Sequence, residues 1–473
     1  MQRLITRARC ATLLVLVLCL PVLAPAADRG IIDAALRSVP PHSAFGVALW
    51  RLGDGTELYA YDAAAPRRLA SVAKLYVSAG ALLALGPEHR LRTRIYSLGP
   101  LRAGVAPGLL IVGGGNPCLD EHFTDGEPER IFSDWIGQLQ AAGIRSVDGP
   151  VLVDGSLFQG PERPLTYPQD HANLQKWYSA PASAFAWLDN CIEVQVRPGS
   201  PGGPARVLIR PDSPRITVIN KTSTVASQSR PRLIVSRAHH ENRIIVSGSY
   251  AKPTAWFPLA IHADADLLHA DHFCGRLLEA GITAPRMSQP GLLVEHPAAE
   301  LLIEHSDPLL PAVDILNTRS LNVYGEQLLR LVAVARGAPG SIADGCRETN
   351  AVLREAGVAV DDLILLDGSG LSYDNRASAR GVCRLLHRMH NHRHGSAYRA
   401  SMKRMDTAGV TAHVKTGTLS VARCLAGYFD RGGERYAFAI LVERERASGG
   451  WSAQARRAYT TILDALVRAV PGP

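Results

Sequence analysis

Three short motifs follow one another along this chain: Ser71-Val72-Ala73-Lys74, Ser320-Leu321-Asn322 and Lys415-Thr416-Gly417. Together they supply a hydroxyl nucleophile, an amine base, a second hydroxyl, an amide and a cation. A serine hydroxyl attacks poorly unless a base lies beside it, so these groups do chemistry only where they meet. Yet Lys74 and Ser320 are 246 residues apart. That separation constrains the fold more than any other feature. A whole domain of about 100–150 residues fits between the motifs. The simplest architecture is therefore one catalytic unit interrupted by an insertion.

Lysine is scarce: the chain has six, and arginine carries most of the positive charge. A second Ser-x-x-Lys match, Ser249-Tyr250-Ala251-Lys252, lies among strand-like runs and is followed at once by Pro253. Proline disfavours a helix through it, so this match is read as coincidence. Each motif alone also has an ordinary reading, as a helix cap or a strand-end turn. Their order along the chain is what points to a site.

The first residues resemble an export signal: a basic start at Arg3, Arg7 and Arg9, an apolar stretch over 10–23 and small residues at Ala24-Pro25-Ala26. Cleavage is expected after Ala26. No other stretch is long and apolar enough to cross a bilayer, so no stable membrane span is expected after cleavage. The remainder holds 48 basic and 43 acidic residues. That surplus is mild and calls for no nucleic acid, and no nucleic-acid module is present. Six cysteines remain after cleavage, an even number that permits disulfides in an oxidising compartment; one bridge is favoured. None has metal-ligand spacing, and neither metal nor cofactor is expected at the site.

Texture along the chain refines the split. Strands are expected at 45–50 and 56–61 around Gly53-Asp54-Gly55, then a helix over 69–85 ended by Gly86-Pro87. From about residue 92 the pattern becomes α/β, with strands at 109–112 and 151–153 and helices at 132–142 and 265–280. Short strand-like runs at 206–210, 215–219, 232–235 and 243–246 suggest a small all-β module. Beyond residue 300, helices are expected at 323–335, 380–390 and 451–470, with strands at 363–366, 410–414, 425–429 and 436–442. The expected organisation is 1–26 signal, 27–91 catalytic, 92–204 inserted α/β, 205–254 nested all-β, 255–299 insert again and 300–473 catalytic. The class is α+β.

The spacing of Ser71 and Lys74 puts both on one helix face, with Ser71 near the helix N-terminus where the dipole favours developing negative charge. Lys74 is a base only if neutral, and burial or the nearby charge of Lys415 would lower its pKa. Ser320 is positioned to relay a proton, and Asn322 to bond an amide of the substrate. Lys415-Thr416-Gly417-Thr418, at a strand end, offers a cation for a carboxylate and, at Gly417, room for substrate along the backbone. The amides of Thr418 and Ser71 are candidates for an oxyanion hole.

With these motifs the chain resembles the serine-type D-alanyl-D-alanine carboxypeptidases/endopeptidases of the penicillin-binding protein 4 type, the low-molecular-mass class C group. The three motifs are the S-x-x-K, S-D-N and K-T-G set of penicillin-binding proteins and class A β-lactamases. The resemblance runs from about Ala70 to Val442 and includes Gly113-Gly114-Gly115-Asn116-Pro117, Asp154-Gly155-Ser156-Leu157-Phe158, Tyr178-Ser179-Ala180-Pro181, Asp367-Gly368-Ser369-Gly370-Leu371-Ser372 and Asp374-Asn375-Arg376. It implies a penicillin-recognising, β-lactamase/transpeptidase-like domain interrupted by extra domains. It also implies an exported, mainly periplasmic enzyme acting on peptidoglycan stem peptides and acylated by β-lactams.

Carried over by motif, Ser71 is the nucleophile, Lys74 the proton acceptor, Ser320 the second serine, Asn322 a substrate contact and Lys415 the carboxylate anchor. Asp154 is implied in recognising the stem peptide's amino-bearing side chain. Departures from the family pattern are Leu321 in place of Asp, Thr318-Arg319 where a lysine is usual, and Asn116 in place of Asp. Two rival readings share these motifs: a β-lactamase that deacylates fast, and a wall-binding protein with a vestigial site.

Overall fold

The computed structural model describes residues 27–37, 43–227, 233–444 and 453–472. The expected signal, 1–26, lies outside them. The chain is α+β, as expected, and its centre is a six-stranded antiparallel sheet in the order Lys403–Thr407, Val410–Thr418, Ala422–Arg431, Glu434–Arg444, Ser43–Arg51, Glu57–Tyr61. The two ends of the chain share this sheet: Ser43 pairs with Arg444 and Val47 with Ile440. Its middle strands carry near-continuous apolar runs because both faces are covered. Val47, Leu49, Phe438 and Ile440 meet Ile462 and Leu466 of helix Ala453–Ala469 on one face, while Ala48, Ala439 and Leu441 turn to the other.

Helix Lys74–Leu85 fills that second face. Every residue from Lys74 to Leu82 is buried, so this is a central helix without a solvent stripe. It ends at Gly86, whose φ of 80° suits glycine. Helices Leu309–Thr318, Asn322–Ala335 and Ile342–Glu355 pack around it. Ser341 and Ser378 cap their helices through the amides of Asp344 (3.0 Å) and Gly381 (2.8 Å).

Between these halves lies a mixed five-stranded sheet, ordered Gln289–Pro290, Val151–Asp154, Leu109–Val112, Arg90–Ser97, Glu300–Pro308. The strand on which the chain leaves the central unit pairs with the one on which it returns: Arg90 lies opposite Pro308 and Ser97 opposite Glu300. Helices Arg130–Ala141 and Ala265–Glu279 cover one side with an aromatic core of Phe132, Trp135, Trp187 and Phe273. Two three-stranded sheets follow. One is Arg206–Arg210, Cys191–Arg197, Phe257–Ala260; the other is Thr217–Thr224, Arg243–Tyr250, Ile234–Arg237. The first draws strands from both sides of 205–254, because Cys191–Arg197 is its central member.

Two expectations fail. Residues 363–366 form no strand; a single bridge from Ile364 to Arg376 is all that pairs, since the segment is held by side chains instead. The favoured disulfide is absent: all six cysteines are free and buried, behaving as small apolar core residues in scattered elements.

Candidate active site

Ser71 sits in the 3-10 turn Ala70–Ala73 that leads into helix Lys74–Leu85. Its Oγ is 3.1 Å from Lys74 Nζ. Lys74 also reaches Asn322 Oδ1 at 2.7 Å and donates to the carbonyl of Ser369. Across the cleft, Lys415 Nζ is 2.8 Å from Ser320 Oγ and 2.9 Å from its neighbour's carbonyl at Thr416. The first and second motifs thus meet directly, and the third meets the second. Ser320 joins helices Leu309–Thr318 and Asn322–Ala335 with a φ of 65°, a left-handed conformation that non-glycine residues adopt at a cost of about 1–3 kcal/mol.

The two serines, Asn322, Thr416 and Thr418 line a cleft of about 710 Å³, while both lysines are buried beneath it. Burial lowers the Lys74 pKa to about 7, against the opposing charges of Asp367 and Glu326. Burial also drives Lys415 well below the ordinary lysine value, helped by the charges of Lys74 and Lys403. Of the two causes the sequence offers for the Lys74 shift, burial and the charge of Lys415, burial is the larger.

Asp367 and Glu326 are buried parts of the site. Glu326 follows Asn322 by one helical turn, on the same face. It accepts the amides of Gly368 and Ser369, both at 2.9 Å, and the Tyr167 hydroxyl at 2.9 Å. Asp367 accepts the amides of Gly370 (2.6 Å) and Ser372 (2.7 Å) and Asn375 Nδ2 (2.9 Å). Burial pushes Glu326 up to about 7, and the charge of Asp367 adds to that. These bonds hold the turn whose Ser369 carbonyl receives the Lys74 amine. Asp367, quoted from the sequence only within a family-like segment, holds the turn whose Ser369 carbonyl reaches the lysine.

Two glycines are dictated by close approach. A Cβ on Gly370 would fall 2.0 Å from the Ala70 carbonyl, and its φ is 79°. A Cβ on Gly417 would fall 2.8 Å from the Leu69 carbonyl and 3.1 Å from Ser71 N. The room expected at Gly417 is therefore taken by the backbone leading into Ser71. Strand Val410–Thr418 loses its outer neighbour after Val414, so Lys415 to Thr418 form a local sheet edge facing the cleft.

Other cleft residues were not named as site candidates: Trp177, Arg319, Tyr373 and Arg423. Tyr178, quoted only as part of a family-like segment, lines the cleft, and its carbonyl accepts Asn322 Nδ2 at 2.7 Å. Asp154 does not line this cleft; its two oxygens accept the amides of Ser156 (3.0 Å) and Leu293 (2.8 Å), fastening strand Val151–Asp154 to the segment after Pro290. Asn116, where the family pattern has Asp, donates to Asp307 at 2.7 Å.

The chain is similar to known proteins. A family model described as the D-Ala-D-Ala carboxypeptidase 3 (S13) family matches residues 29–466. A D-alanyl-D-alanine carboxypeptidase of an Actinomadura species is 27% identical over 444 residues, spanning 87% of this chain and 80% of that protein. The D-alanyl-D-alanine carboxypeptidase DacB of Haemophilus influenzae is 26% identical over 327 residues, spanning 67% of this chain and 65% of that protein. The crystal structure of penicillin binding protein 4 from Haemophilus influenzae superposes with a TM-score of 0.73 at 22% identity, covering 93% of this chain and 99% of that one, a likeness of fold.

Proposed function

This chain belongs to the D-Ala-D-Ala carboxypeptidase 3 (S13) family, and on that premise we propose that it is an exported D,D-peptidase of peptidoglycan working through a Ser71 acyl-enzyme. It is a serine hydrolase. The substrates are stem peptides ending in D-Ala-D-Ala, and the same site cuts D,D-crosslinks as an endopeptidase. β-Lactams acylate Ser71 because they present a strained amide with a similarly placed carboxylate. The location is periplasmic. No described helix is long and apolar enough to cross a membrane.

The observation that carries the reading is the buried amine of Lys74, 3.1 Å from Ser71 Oγ. A neutral amine has two N–H donors and one lone pair. Asn322 Oδ1 and the Ser369 carbonyl take the two donors. The lone pair is then left for the Ser71 hydroxyl. Lys74 accepts the proton as Ser71 Oγ attacks the penultimate D-Ala carbonyl. The oxyanion is met by the amides of Ser71 and Thr418. When the C–N bond breaks, the proton passes through Ser320 to the leaving amine, with Lys415 holding the Ser320 hydroxyl in place. Thr416 and Thr418 hydroxyls, backed by the Lys415 charge, receive the terminal carboxylate. Water then hydrolyses the acyl-enzyme, with Lys74 again as base.

Intact mass after benzylpenicillin, comparing the wild type with Ser71→Ala, tests the assignment. A single adduct confined to the wild type is expected, together with D-Ala release from a D-Ala-D-Ala peptide. An adduct surviving in Ser71→Ala removes the nucleophile assignment. Rapid penicillin turnover without D-Ala release makes the chain a β-lactamase instead.

A further inference from the structure

We propose that Asp120, His122 and Asp189 form a site for one divalent transition-metal ion, outside the catalytic cleft, that staples the inserted unit to the helix bearing Asn322.

One carboxylate oxygen from each aspartate and one imidazole nitrogen of His122 all lie within 4.8 Å of one another. Ligands about 2.0–2.2 Å from a shared ion are separated by roughly 3–4.5 Å, so a small closure suffices. Independently of that clustering, Asp189 Oδ1 is closed to solvent and accepts no hydrogen bond. A buried carboxylate oxygen without a partner is costly unless a proton or a cation meets it. Among the described residues, the charges that act on Asp189 come from Asp120, Glu121 and Glu193, all acidic. Asp120 is committed differently. Its Oδ1 accepts the His122 amide at 2.8 Å and its Oδ2 accepts the Tyr324 hydroxyl at 2.5 Å. Lone pairs remain on both oxygens, since a carboxylate has about four acceptor sites.

Two carboxylates and one imidazole make a mixed oxygen and nitrogen set suited to Mn²⁺ or Zn²⁺, with further positions open to water. Binding displaces any proton held on Asp189 to solvent. Asp120 and His122 follow strand Leu109–Val112, and Asp189 lies in the turn before strand Cys191–Arg197. Tyr324, hydrogen-bonded to Asp120, comes two residues after Asn322 in helix Asn322–Ala335. An ion here therefore ties two segments of the insert to the helix that contributes to the active site.

The test uses the tag-free chain, stripped with chelator and titrated with Mn²⁺ while the free ion is followed by electron paramagnetic resonance. One Mn²⁺ per chain is expected, displaced by Zn²⁺ and accompanied by a rise in Tm. Asp189→Asn keeps the shape, and asparagine tolerates the left-handed backbone found there (φ 53°). It and His122→Gln should each weaken Mn²⁺ by at least about tenfold and cancel the Tm rise, while both variants still acylate with benzylpenicillin and so are folded. Absence of saturable Mn²⁺ and Zn²⁺ binding in the wild type overturns the proposal. So does binding of wild-type strength in both variants, which would assign the ion to surface histidines.

Discussion

The four-residue pattern Ser-x-x-Lys occurs twice in this chain and folds into two different things. At Ser71–Lys74 it occupies a helical turn, where positions three apart share a face. The lysine is fully buried and its amine is 3.1 Å from the serine. At Ser249–Lys252 the serine stands on strand Arg243–Tyr250, exposed and 2.8 Å from Ser223 Oγ, and the lysine is exposed beyond the strand end. Successive strand positions alternate faces, so three residues apart means opposite sides. The lesson is that the pattern acquires chemistry from burial and from what surrounds it. Burial lowers the Lys74 amine to about 7, which puts a base within reach of the serine.

The largest break in that comparison is Ser71→Ala, expected to cut D-Ala release by about 10⁴-fold or more, while Ser249→Ala leaves it unchanged; a D-Ala release assay reads both. Next comes the base. Lys74→Ala should slow acylation by about 10²–10⁴-fold, and Lys252→Ala should not slow it. A fluorescent penicillin measures these rates, and a slow Lys252→Ala protein would reverse the roles of the two matches.

The pH dependence sharpens the contrast further. Below the folded-state pKa of Lys74, about 7, the amine carries the proton and cannot accept another. Acylation should therefore rise about tenfold per pH unit up to that value and then level. A flat rate from acid to neutral pH, with chemistry rate-limiting, removes Lys74 as base. Stability has the same sign. The unfolded lysine binds a proton up to about 10.4, so between roughly 7 and 10 the unfolded state holds more protons and this group favours folding as pH rises.

A smaller effect is expected one step further out. Glu326→Gln places an amide where only acceptors fit, facing the donating N–H groups of Gly368 and Ser369. It should destabilise the fold by about 1–3 kcal/mol, read by denaturant melts. It also removes an opposing charge, so the midpoint of acylation should move to lower pH. A midpoint that stays or rises would mean that Glu326 is neutral in the resting site. At the exposed match, Lys252→Ala should alter stability by no more than about 0.5 kcal/mol.

Much of this was legible in the sequence because the signals are local. Hydrophobic runs bounded by Gly86 and by Gly432-Gly433 gave the strands and helices flanking the site, and the 246-residue gap required the interruption. Other parts were silent. The apolar run at 363–366 reads as a strand and misleads, since the shape of 363–376 comes from buried side chains of Glu326, Asp367 and Asn375 bonding to backbone amides. The cleft walls at Trp177, Arg319, Tyr373 and Arg423 come from separate stretches with no motif to flag them. Cysteine count suggested a bridge, but pairing depends on which thiols approach, and these six stand free in separate parts of the core.

Amino-acid order alone therefore determined which chemical groups exist, their succession along the chain and the need for a split unit, because those follow from residue type and separation. Tertiary structure decided the rest: that Lys74 is sealed from water, that Lys415 lies under Ser320 rather than in the open cleft, and that Asp154 serves a strand end. Desolvation, which sets whether an amine is acid or base, is a property of the space around a side chain, and no stretch of sequence contains that space.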